Sequence, residues 1–211
     1  MIDALNKLGE KYVMEKFYHG TCYLFDKFSP DFSGKGEGKA KFGRGIYVTS
    51  SYATAALYAA KAGKNNGLDK FYVYTVEIPD IKPDKHIFSL RPVNAAIVEK
   101  VEKAIGETIP DEVKAVGKLF RKYLGNLLTG QRSTVKKMTD KANYEAEDAA
   151  STLFDSIDVD YYVWPKAQTK PDGETNRTVF NVNNIRILKI EQVEVNAKNE
   201  LIPGSGKEVT V

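Results

Sequence analysis

Cysteine is nearly absent from this chain. Cys22 stands alone, which excludes an internal disulfide framework and a zinc site built on several thiolates. A lone thiol suits a reducing compartment. Histidine is almost as scarce, so imidazole chemistry has two candidates, His19 and His86. No apolar run approaches the roughly 20 residues that span a bilayer. Residues 1–16 (MIDALNKLGEKYVMEK) lack the uninterrupted apolar centre of a secretory signal. These absences predict a cytoplasmic protein with no membrane partner, or one delivered into a target cell by a signal-less route. Excess charge is small as well: a net +3 permits an acidic ligand but does not argue for nucleic acid.

What is present is enough to build a core. The 211 residues are 42% hydrophobic and 11% aromatic, which suits one large domain and argues against disorder. Residues 2–15 carry apolar side chains at roughly helical spacing and predict a short lead-in helix. Lys16–Tyr23 follows as an aromatic strand. Residues 29–45 hold Gly34, Gly36, Gly38, Gly43 and Gly45 and read as an ordered loop. A short strand over Gly45–Thr49 leads to an alanine-rich helix, capped by Ser50 or Ser51 and stopped at Gly63. Phe71–Ile78 alternates apolar and polar positions, the clearest strand of the chain. Helical periodicity then covers Asn94–Gly106, Asp111–Leu128 and Thr139–Ile157, so residues 93–157 read as a helical insertion in a single domain. Strand character returns at Tyr161–Trp164, Thr178–Val182 and Ile185–Val195. The Gly-Ser-Gly tail is expected to fray.

Three segments carry the candidate chemistry: Tyr18-His19-Gly20-Thr21, Gly43-Arg44-Gly45-Ile46-Tyr47 and Ala55-Ala56-Leu57-Tyr58. A strand ending His-Gly-Thr is followed by a glycine-rich loop, a Gly-x-Gly-Ile-Tyr strand and a helix with tyrosine eleven positions on. This order resembles the NAD-binding half of diphtheria-toxin-like ADP-ribosyltransferases, the superfamily that includes the poly(ADP-ribose) polymerases. The resemblance covers residues 16–60, with a fainter echo over Asn176–Ile190. It implies an α+β fold with a split antiparallel β core, flanking helices and NAD as co-substrate.

The same resemblance implies roles. His19 would bond a ribose hydroxyl, and the peptide of Gly20 would hold the nicotinamide carboxamide, a flat group that a residue without a side chain can meet closely. Thr21 would assist. Tyr47 and Tyr58 would lie against the two faces of the cationic pyridinium. Arg44 and the loop lysines Lys35, Lys39 and Lys41 would stand near phosphate, and Gly45 would also belong to the cofactor-binding set. Breaking the nicotinamide–ribose bond builds an oxocarbenium-like centre, which calls for a carboxylate or an aligned dipole. Here the chain departs from the family. The position where the family places glutamate falls on Asn176, which can hydrogen-bond but cannot act as a base. Glu174, on the same face if the strand extends that far, is the other candidate, and the residues alone do not divide the role between the two. Ala55 replaces a serine common in polymerase-like relatives, with Thr49, Ser50 or Ser51 as substitutes.

Loss of the glutamate favours single transfer over polymer synthesis. The expectation is therefore a mono-ADP-ribosyltransferase, a toxin or effector, that moves ADP-ribose to a macromolecule and releases nicotinamide, without a metal. A catalytically inactive NAD or ADP-ribose binding module and an NAD glycohydrolase are the alternatives. Arg91, Arg121, Lys122, Arg132, Lys136, Lys137 and Lys141 give the helical block a basic component, but its many acidic residues make a protein acceptor the better expectation than nucleic acid. An inhibitory partner or antitoxin is compatible with the same reading.

Overall fold

Eight strands form one sheet in the computed structural model, which describes residues 13–29, 42–130, 140–166 and 175–211. In chain order they are β1 (Met14–Thr21), β2 (Ile46–Thr49), β3 (Phe71–Pro79), β4 (His86–Phe88), β5 (Tyr161–Pro165), β6 (Thr175–Val179), β7 (Arg186–Val193) and β8 (Lys207–Glu208). The spatial order is β4-β5-β6-β2-β1-β3-β7-β8. All pairings are antiparallel except β4 with β5. Helix α1 (Tyr52–Asn66) joins β2 to β3. Between β4 and β5 come α2 (Ala95–Ile105), α3 (Asp111–Lys114), α4 (Gly117–Leu128) and α5 (Asp140–Ser156). No helix among the described residues is long and apolar enough to cross a membrane.

The sheet is split in the middle. β1 pairs with β3 along all eight residues, yet it meets β2 only at Tyr18↔Thr49. Past that pair, His19–Thr21 and Ile46–Val48 diverge into a wedge instead of continuing the ladder. The α+β fold with a divided, mostly antiparallel core is thus what the chain adopts, with one parallel pair at the β4 edge.

Pleat and register assign the two faces. Tyr18, opposite Thr49, and Gly20, opposite Val73, face α1. Ala55 and Ala56 of that helix pack with Val73 and Val193. Tyr47 lies opposite Thr178, and Thr178 opposite Tyr162, so these share the same face. There Ile87, Tyr162 and Phe180 pack with Ile97, Phe120, Leu124 and Phe154 from the inserted helices. On the other face Phe17, Ile46, Val48, Tyr74, Val76, Tyr161 and Val163 form a second core with Phe28. Two helical layers therefore cover the two halves of one face. The strip of sheet between them carries Tyr47, Thr49, Asn176 and Trp164.

Several boundaries differ from the sequence expectation, each for a tertiary reason. Met14 opens β1 instead of closing a lead-in helix, because Met14 already pairs with Pro79; residues 1–12 lie outside the description. α1 runs through Gly63 and stops at Gly67 in the left-handed conformation. Gly63 is bare because a Cβ there would sit 2.4 Å from the Phe71 ring. The span 111–128 breaks into α3 and α4, and α4 starts at Gly117 pressed against the Phe88 carbonyl, where a Cβ would come within 2.3 Å. β6 covers Thr175–Val179, not 178–182; past Val179, which pairs with Ile46, the chain turns and Phe180 enters the helical core. The tail does not fray: β8 pairs with β7, and the Glu194 N–H donates to Ser205 Oγ at 3.1 Å.

Candidate active site

His19 sits where β1 and β2 part. Its Nδ1 lies 2.8 Å from the Tyr47 carbonyl, so the ring bridges the wedge that backbone pairing leaves open. A carbonyl only accepts, which makes Nδ1–H the donor and leaves Nε2 with a free lone pair in the neutral ring. Phe28 packs edge-on at 5.2 Å and Tyr74 at 6.3 Å between ring centres. Desolvation by these neighbours pushes the imidazole pKa below its ordinary value, outweighing the bond to Tyr47 that raises it. His19 is thus held neutral with one defined tautomer.

Gly20 is bare for a reason other than ligand approach. An added Cβ would lie 1.8 Å from the Ala55 carbonyl oxygen and 3.0 Å from the Ala59 nitrogen. The missing side chain lets α1 press against β1, which brings Tyr58 within one helical turn of that contact. Tyr58 itself is 42% exposed, with Lys61 Nζ 5.4 Å from its ring centre. Thr21 is buried, and its hydroxyl accepts from the Tyr23 N–H at 3.2 Å to shape the turn after β1.

Tyr47 is held by both ends. Its hydroxyl donates to the Gly43 carbonyl at 2.8 Å and accepts from the Phe42 N–H at 3.1 Å, while its ring meets Trp164 edge-on at 5.4 Å. Burial pushes the phenol up to about 12, so it stays protonated. The turn that holds it needs glycine: Gly43 and Gly45 have φ of 95° and 150°, where side chains are strained. Gly45 is also tight against β6, since a Cβ would come 2.4 Å from the Val179 carbonyl. Arg44 points to α5, not the wedge, and its Nη1 bonds the Asp148 carboxylate at 3.1 Å. A cavity of about 340 Å³ opens on that side, lined by Arg44, Ser151, Asp155, Phe180, Asn181 and Asn183.

Asn176 reaches the same strip. Register places Tyr18, Thr49, Asn176 and Trp164 in one row across β1, β2, β6 and β5, with Tyr47 and Thr178 in the next. Asn176 is only 6% exposed, and its amide makes no hydrogen bond among the described residues. No carboxylate stands among those six floor residues. Glu174 lies outside the described residues, as do Lys35, Lys39 and Lys41. The hydroxyls proposed to stand in at Ala55 already accept hydrogen bonds: Thr49 from Ser51 N–H, Ser50 from Thr175 N–H, Ser51 from Thr54 N–H.

The fold thus brings His19, Gly20, Tyr47 and Asn176 to the strands that border one split, with the His19 ring on the Phe28–Tyr74 face and Tyr47 and Asn176 on the α1 face, and it sends the Arg44 guanidinium elsewhere. Sequence reasoning overlooked Trp164, which stacks on Phe42 at 4.1 Å and abuts Tyr47. Arg121, read as a surface cation, is 1% exposed, ion-paired to Glu147 and 4.5 Å over the Tyr162 ring. It cannot grip a phosphate backbone. Among the described residues no group of three or more His, Cys, Asp or Glu could hold a metal ion.

No family model matches the chain, and no curated protein does. Among solved structures it is similar to the crystal structure of the M. tuberculosis MbcT-MbcA toxin-antitoxin complex. The identity is 9%, the match covers 86% of this chain and 85% of that one, and the TM-score is 0.42.

Proposed function

We propose that this chain binds NAD⁺ across the split between β1 and β2 and breaks its nicotinamide–ribose bond. The observation that carries the reading is the His19 bond to the Tyr47 carbonyl. It fixes a neutral imidazole at the wedge whose Nε2, an acceptor in that tautomer, can take a bond from a ribose hydroxyl. Across the wedge, on the α1 face of the sheet, the half-buried ring of Tyr47 suits a cationic pyridinium, and Tyr58 on α1 offers a second aromatic surface. Gly20, Thr21, Arg44 and Gly45 frame the site by holding α1 and the turn before β2, with Gly20 also able to receive the carboxamide through its peptide. Nicotinamide leaves by carrying off the electron pair of the glycosidic bond, and the ribose carbon becomes oxocarbenium-like. The Asn176 carbonyl dipole and Glu174, two residues earlier in the sequence, then stabilise the developing positive charge.

The ADP-ribose passes to a nucleophile. A macromolecular acceptor, protein rather than nucleic acid, would make the chain a mono-ADP-ribosyltransferase; water would make it an NAD glycohydrolase. The uncharged Asn176 favours water, because it offers no base to activate a protein nucleophile, whereas an oxocarbenium-like ribose is captured by solvent water that sheds its proton to bulk. An enzyme that consumes NAD⁺ in its own cytoplasm needs restraint, so an inhibitory partner of the antitoxin kind belongs to the same proposal.

Nicotinamide release, followed with purified protein and NAD⁺ alone and again with cell extract, tests the reading. Release without extract identifies hydrolysis, and release only with extract, accompanied by labelled macromolecules, identifies transfer. Calorimetric NAD⁺ binding with no release in either case identifies a binding module. Folded protein that neither binds nor cleaves NAD⁺ overturns the proposal.

A further inference from the structure

We propose that α5 of the inserted helical block acts as a clamp that sets Tyr47, with Ser151 and Asp148 as its positioning residues. The inference rests on the reading that Tyr47 lines the NAD⁺ site, and it assigns a role to a segment that reading leaves unused. Three contacts tie α5 to the turn before β2. The Ser151 hydroxyl accepts from the Arg44 N–H at 2.8 Å and donates to the Glu147 carbonyl at 2.8 Å. Asp148, one turn away on the same helix, bonds Arg44 Nη1 at 3.1 Å. Gly43 closes over the same serine so tightly that a Cβ would lie 2.6 Å from Ser151 Oγ.

The turn passes this constraint on. Gly43 supplies the carbonyl, and Phe42 the N–H, that together fix the Tyr47 hydroxyl. Phe42 is itself held, since its carbonyl accepts from the Thr178 hydroxyl at 2.9 Å and its ring stacks on Trp164. A chain of hydrogen bonds thus runs from α5 through the turn to the ring that would meet the pyridinium. Ser151 is 3% exposed, its only proton is already donated to Glu147 and it accepts from Arg44, so it serves the turn and is not a site residue. It acts through Tyr47. α5 does not move alone, because buried Glu147 ion-pairs with Arg121 of α4, which packs over Tyr162 in the sheet.

A ring free to leave its position lowers the fraction of protein competent to bind, and apparent affinity falls by that fraction. Cutting the clamp should therefore raise KM about tenfold, for a competent fraction near one tenth, with kcat changed less than twofold. The sole tryptophan gives an independent reporter, because Trp164 touches both Phe42 and Tyr47. Ser151→Ala and Asp148→Asn are compared with the unaltered protein by NAD⁺ cleavage kinetics, Trp164 emission and melting temperature. The second variant is half-exposed and spares the core. Raised KM with altered Trp164 emission at preserved far-UV circular dichroism is the expected result. Unchanged KM and emission in both variants overturn the clamp while leaving NAD⁺ cleavage standing. If the unaltered protein neither binds nor cleaves NAD⁺, the functional reading fails, and Trp164 emission alone still decides whether α5 holds the turn.

Discussion

His19 carries two constraints at once: a donor bond to Tyr47 that selects its tautomer, and aromatic neighbours that keep it uncharged. Its depressed pKa has a definite sign. The unfolded chain holds a proton near the ordinary value of about 6.5, and the folded chain releases it at that pH. The neutral ring therefore contributes stability that is complete above about 6.5 and is lost as the pH falls toward the folded value. Protonation also turns Nε2 from acceptor into donor. NAD⁺ cleavage should accordingly be flat at neutral pH and fall on the acid side, and His19→Ala should abolish it; a rate that climbs as the pH drops below 6 excludes an acceptor role for Nε2. Gly20 makes a separate prediction about folding. Alanine there meets the Ala55 carbonyl at 1.8 Å, so either α1 shifts or β1 bends. The cost should be about 1–3 kcal/mol, typical of forced overpacking. Urea melts of Gly20→Ala check it.

At the level of elements, α4 and α5 are joined by a charge pair that the core excludes from water. Arg121 stacks on Tyr162 and pairs with Glu147, both nearly fully buried. Removing one partner leaves the other charge uncompensated, so Glu147→Ala should lose about 3–5 kcal/mol, whereas Arg121→Met with Glu147→Leu together should lose far less. Equal losses for single and double variants would show that packing, not charge, decides. Neither residue could be assigned this way beforehand, because a basic residue on an amphipathic helix reads as solvated until its partner helix is placed. Local signals were legible elsewhere. Asn94 caps α2 by accepting from the Ala96 N–H at 2.9 Å, and Ser51 caps α1 through the Thr54 N–H at 3.3 Å. Failures occurred where distant chain decides: Gly63 continues a helix because Phe71 needs its space, and Gly117 starts one because Phe88 does. The candidate site divides likewise. His19, Tyr47 and Asn176 were readable as a spaced pattern. Ser151, bonded to Arg44 from 107 positions away, leaves no such trace.

For the whole molecule, the consequence of the split is that two sheet halves meet along β1 and β2 at a single strand pair, Tyr18↔Thr49. The paired strands on either side are well supported: β1 by eight partners on β3, β2 by four on β6. Opening the wedge further thus breaks little within either half, and the junction is the place where a ligand can add most. A dinucleotide that contacts His19 on one side and Tyr47 on the other links them from both flanks. Any ligand that binds the folded state alone stabilises it by mass action, by about 2.7 kcal/mol at one hundred times its dissociation constant. For a chain of this size that corresponds to a melting temperature about 5–10 °C higher, at 2–4 °C per kcal/mol. A carbocyclic NAD⁺ analogue, whose nicotinamide link resists cleavage, is the suitable probe. It should raise the melting temperature and slow amide exchange first in residues 17–21 and 46–49. Nicotinamide alone, which reaches one flank, should do much less. Protection that appears instead only around the Arg44–Asp155 cavity would move the ligand to the far side of the turn and remove the split from the binding site.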